Sequence, residues 1–124
     1  MLIDEHIRSD GELVRTHLEG VGVDRVRIVA DDGVRGELSA AALEKVMGRY
    51  GRPLDPDVAV TGESIELGAV KVVLLRYRAP VDVQARDWLV WLAPGTEPIA
   101  ALSNGVAAAL RYLVLRIAEE KARP

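Results

Sequence analysis

His6 and His17 are the only imidazoles in the chain. Placed on one helix they would stand about 16 Å apart by the rise per residue, too far to share a metal. No His-Glu-x-x-His spacing occurs, so both read as solvated helix side chains. Asp31-Asp32-Gly33 sets two carboxylates beside a glycine, but a calcium loop needs several further oxygen ligands at fixed positions, and those are missing. The tripeptide reads as a tight turn, and Asp55 and Asp57, flanking Pro56, read as loop acids. Ser39, Ser64 and Ser103 are nucleophiles by residue type alone. None lies in a Gly-x-Ser-x-Gly elbow, and no sequence feature pairs one with a histidine. The glycines form neither Gly-x4-Gly-Lys-Ser/Thr nor Gly-x-Gly-x-x-Gly. With no cysteine, thiol catalysis, a zinc-thiolate site and a disulfide scaffold drop out together. The sequence assigns no catalytic residue, no cofactor and no metal.

The residues left with chemical interest are those that bind. Arg76-Tyr77-Arg78 and the pair Trp88 and Trp91 belong to the types enriched where interfaces concentrate their energy, combining large contact area with directed hydrogen bonds. The chain has no Phe, so the two tryptophans are equally suited to filling a core. Trp88, Val90 and Leu92 share one side of their strand, Leu89 and Trp91 the other. Leu43, Val46, Met47 and Tyr50 lie on one face of a helix, where they either cover a sheet or meet a second subunit.

A chain of 124 residues is the size of one domain and reads as a single domain over 1–124. Charged residues make up 28% and hydrophobic ones 49%, the balance of a folded soluble protein. The net charge of −3, without a basic block, argues against nucleic acid, whose binders neutralise phosphates. The first residues lack a basic region and a long apolar run, so they do not read as a signal peptide. The most apolar stretch, 99–118, carries Asn104, Arg111 and Arg116. Each mid-membrane Arg costs about 2.5 kcal/mol or more, so no membrane insertion is expected, and the location reads as cytoplasmic.

These residues need elements to place them. Ile3, Ile7, Val14 and Leu18 fall at multiples of a helical turn, predicting an N-terminal helix that ends at Glu19; Gly11 permits a break, with Ser9 capping a shorter helix from Asp10. Val26 and Ile28 alternate with Arg25 and Arg27, and Asp31-Asp32-Gly33 turns that strand into a second over 34–38, a β-hairpin. Ser39 caps a helix over 40–50, ended by Gly51 and Pro53. Short strands follow around Val58 and Val60 and over 64–67, then a long one over 70–78 and a last one over 86–93. That last strand is apolar on both faces and should be central. Thr96 caps a closing helix from Glu97-Pro98, which Ser103-Asn104-Gly105 either dents or restarts.

The order is α-β-β-α-β-β-β-α, an α+β sandwich with a five-stranded, mainly antiparallel sheet and helices on both faces. That order resembles the roadblock/dynein light-chain family of adaptor domains. The likeness lies in 25–34, an apolar strand running into an acidic-Gly turn, in the strands 70–78 and 87–92, and in the helix 97–121. It implies a homodimeric adaptor that binds a Ras-like small GTPase, its regulator or another roadblock protein, beside the family's bacterial MglB/MglC-type cell-polarity members. The helix over 40–50, cut short by Gly48, Gly51 and Pro53, departs from the longer helix through which the family dimerises. The expected function is thus a non-enzymatic adaptor, with Leu43, Val46, Met47, Tyr50, Arg76, Tyr77, Arg78, Trp88 and Trp91 as candidate interface. The alternative is a small-ligand-binding or enzymatic domain with its site in a cleft beside the loop 79–84. A third reading, a secretion or effector chaperone, shares the binding logic but orders its elements differently.

Overall fold

The computed structural model describes residues 1–33 and 35–123. Strands β1 (Leu2–Ile7), β2 (Leu13–Val21), β3 (Arg25–Ala30) and β4 (Arg35–Ser39) form an antiparallel meander in sequence order. Helix α1 (Ala40–Tyr50) follows. Strands β5 (Arg52–Pro53), β6 (Ser64–Leu67), β7 (Val70–Tyr77), β8 (Arg86–Leu92) and β9 (Ile99–Leu102) make a second antiparallel sheet ordered β5-β9-β8-β7-β6, and helix α2 (Ser103–Ala122) closes the chain.

The class is α+β, but the expected single five-stranded sheet is replaced by two sheets, of four and five strands. The largest correction falls at the N-terminus, where a β-hairpin stands in place of the expected helix. Val14, Thr16 and Leu18 all point inward while Arg15 and Glu19 point out, a period of two. A polar residue in the middle inward position hid that alternation, and Ile3, Ile7, Val14 and Leu18 imitated a helical stripe. The Asp10-Gly11 step is the hairpin turn: Asp10 Oδ1 accepts from the Glu12 amide at 3.1 Å, and Gly11 has φ +85°, which a side chain rarely adopts.

The hairpin of β3 and β4 stands as expected, turning at Gly33 with φ +90°. Val34, expected to open its second strand, lies outside the described residues. Ser39 caps α1, its Oγ accepting from the Ala42 amide at 3.1 Å, and the Gly51 amide closes the other end on the Met47 carbonyl.

Two further expectations give way. Around Val58 and Val60 there is no strand. Asp55 Oδ1 accepts from the Asp57 amide at 3.0 Å, turning the chain so that the segment lies as a loop across the second sheet. Residues 99–102 are strand rather than helix, because Ile99, Ala100, Ala101 and Leu102 pair with 88–91 of β8. Thr96 caps no helix; its Oγ1 donates to the Ala93 carbonyl at 3.1 Å in a turn that Gly95 closes at φ +76°. The closing helix therefore starts at Ser103.

β8 is central, as its two apolar faces require. Leu89 and Trp91 look into a core shared by both sheets and both helices, with Leu18 and Ile28 from the first sheet, Leu43 and Met47 from α1, and Val106 and Leu110 from α2. Trp88 and Val90 look the other way, onto a smaller cluster with Leu54, Val73, Leu75, Ala79 and Ala100. Helices do not cover both faces as expected: this outer face is closed by loop side chains, Val58 and Val60 among them. The two sheets approach each other where Gly20 of β2 meets Ile65 of β6, too closely for a Cβ at residue 20.

Candidate protein-interaction surface

Folding divides the expected interface residues sharply. Leu43, Val46, Met47 and Trp91 are buried in the shared core, and Trp88 in the outer cluster. Apart from Val46, which also borders a groove between the helices, these side chains are consumed by the chain itself. Tyr50 is 53% exposed. Arg76 and Arg78 are exposed and Tyr77 is half-buried, its ring 5.3 Å from that of Trp88. Burial raises the Tyr77 phenol above its ordinary pKa. Tyr50, not Trp91, is thus the residue that faces outward from this set beside the helices.

Around Tyr50 lies a groove of ≈ 600 Å³, enough to hold a short segment. α1 contributes Ala42, Lys45, Val46 and Arg49; α2 contributes Ala109, Tyr112, Leu113 and Arg116. Each set has the i, i+3, i+4, i+7 spacing that gathers side chains on one helix face. The helices run antiparallel, since Tyr50 shares a cleft with Asn104 and Gly105 at the start of α2, while Ser39 shares the groove with Arg116. Val46 is buried and Leu113 half-buried, so they form the floor. Tyr50 and Tyr112, the latter 59% exposed, stand on the rim. Each carries a guanidinium over its ring, Arg49 at 5.7 Å and Arg116 at 5.8 Å, within the range of a cation–π contact.

The charge of this groove differs from the rest of the molecule. On the sheets several arginines sit against carboxylates: Arg27 reaches Glu37 at 3.0 Å, Arg25 the same Glu37 at 3.4 Å, and Arg76 reaches Asp87 at 3.3 Å. Arg27 and then Arg25 hold the Glu37 carboxyl below its usual range. Among the described residues, Lys45 and Arg49 have no carboxylate within ion-pair distance, and Arg116 has only Glu120 at 4.0 Å. No acid lines the groove.

The loop 79–84 borders two clefts. One, of ≈ 510 Å³, is lined by Arg76, Arg86, Gln84, Asp87, Asp4 and Ser103 among others. Charges on its lining have partners: Asp87 with Arg76, Arg86 with Asp82 at 3.8 Å, and Asp4 with Arg111 at 4.0 Å, Asp4 also being hydrogen-bonded to His6 at 2.8 Å. The other, ≈ 390 Å³, has Trp88 as a wall, Arg52 at 4.8 Å over its ring, and Val81 at the rim. Trp88 Nε1 is buried there without a hydrogen-bond partner. His6 and His17 lie on the paired strands β1 and β2, not on a helix, and among the described residues no three of His, Cys, Asp and Glu gather as a metal site. Ser39 is occupied as a helix cap.

Of the residues lining this groove, sequence reasoning singled out Val46 and Tyr50 for an interface but not Lys45, Arg49, Tyr112 or Arg116. A signal for them existed in the polar side of each helical stripe, where Tyr and Arg recur at positions that the core does not use. Among the described residues no helix is long and apolar enough to cross a membrane. No family model matches the chain, and no curated protein or solved structure matches it either.

Proposed function

We propose that the chain is a non-enzymatic interaction domain, an adaptor that seats a segment of another protein in the groove between α1 and α2. The observation that carries this reading is the pair of exposed tyrosines, each under an arginine, flanking a shallow apolar floor. Tyr and Arg are the residues that dominate binding energy at interfaces. A floor of Ala42, Val46, Ala109 and Leu113 lets a partner backbone approach closely. The small-ligand alternative has less support, because the two arginines lining the ≈ 510 Å³ cleft are already held by carboxylates, Arg76 by Asp87 and Arg86 by Asp82.

A role beside a Ras-like small GTPase or another roadblock-type protein, in the cytoplasm, is the narrower form of this proposal. Its basis is the sequence resemblance over 25–34, 70–78, 87–92 and 97–121; the element order behind that resemblance is not kept, since a hairpin replaces the N-terminal helix and 99–102 are strand. Wild-type chain and the double variant Y50A/Y112A, used side by side as baits in a native extract, test the reading. Both tyrosines are exposed, so the variant should keep its melting temperature and circular dichroism. A protein recovered by the wild type and lost by the variant is the expected result. Identical recovery by both baits would remove the groove from the account.

A further inference from the structure

The groove's charge says what kind of segment it takes. We infer that its partner is an acidic amphipathic segment, with apolar residues for the floor and carboxylates for the rim; the inference rests on the groove being a protein-binding site. The chain as a whole is acidic, at −3, and Arg25, Arg27 and Arg76 on its sheets are matched by carboxylates. In the groove the cations Lys45, Arg49 and Arg116 stand around an apolar floor with no acid among the lining residues. Exposed cations grouped this way repel one another, and a partner carboxylate relieves that repulsion as it docks. The lining stripes, 42–49 and 109–116, each extend over two helical turns, about 10 Å. A partner helix of two or three turns, or a few extended residues, matches that length.

A second copy of this chain is a poorer occupant. In a two-fold dimer the same patch meets itself, so groove on groove would set Lys45, Arg49 and Arg116 against their own twins. A membrane surface fits poorly too: the apolar residues are the recessed floor and the cations the rim, whereas an interfacial helix buries a protruding apolar face.

A peptide-display library of random amphipathic sequences, panned on the wild-type chain and counter-selected on Y50A/Y112A, gives a direct test. Peptides that survive depend on the groove. They should be enriched in Asp and Glu flanking apolar residues, and R49E/R116E should weaken their binding about tenfold or more, the sum of several exposed charge pairs. Binding should also weaken with added salt. Groove-dependent peptides that are neutral or basic would overturn the inference while leaving the groove a protein-binding site. An absence of groove-dependent peptides would overturn both. Self-association of the wild type that Y50A/Y112A abolishes, or binding to phosphatidylserine vesicles that it abolishes, would assign the groove to a second copy or to a membrane and overturn the inference as well.

Discussion

Thr16 sits fully buried on the inward face of β2, between Val14 and Leu18, and its hydroxyl has no hydrogen-bond partner among the described residues. An unsatisfied buried hydroxyl costs about 1–3 kcal/mol, and its removal in an isosteric side chain recovers part of that. Thr16→Val should therefore stabilise the fold by about 1 kcal/mol, read as a higher urea midpoint with an unchanged slope. A lower midpoint would mean that the hydroxyl is satisfied after all. The same residue explains a failure of sequence reading. Val-Arg-Thr-His-Leu alternates perfectly once Thr16 counts as an inward residue, but a polar type at that place breaks the apolar pattern. His17, grouped with His6 as a helix residue, is a strand residue for the same reason.

Among the elements, legibility followed how local the cause was. The β3–β4 hairpin, the Ser39 cap and the central place of β8 were readable because a turn, a cap or a two-faced apolar run states them within a few residues. β9 was not. Ile99 and Leu102 suit a helical stripe as well as a strand, and only pairing with Trp88–Trp91 across the sheet decides between them. The placement of α2 against β4 is equally non-local. Gly36 lies so close to Val114 that a Cβ there would overlap its methyl groups. Gly36→Ala should force α2 outward and destabilise the protein by about 1–3 kcal/mol, the usual effect of overpacking. Val114→Ala in the same background should recover part of the loss by vacating that space. If Gly36→Ala melts at the wild-type temperature, α2 does not pack there. Because α2 carries one wall of the groove, this contact also sets the groove's width.

At the scale of the whole molecule, the two sheets and two helices build one shared core and leave the polar sides of the helices turned outward. Of the nine residues expected at an interface, four were drawn into that core and Trp88 into the outer cluster, since apolar positions serve a core and a partner equally well. What remained for recognition were the positions the core could not use, and those are Tyr, Lys and Arg. Of the candidate groove, sequence reading thus singled out only Val46 and Tyr50 for an interface. The groove's other half comes from α2, 59 or more positions along the chain, and no spacing rule links the two. The central claim is that this helix-pair groove, rather than the clefts beside the loop 79–84, takes the partner. Amide hydrogen exchange of the chain, free and bound to a protein recovered with it, tests that most directly. The account predicts slowed exchange in 41–50 and 109–116, with 79–88 unchanged; protection confined to 79–88 would contradict it.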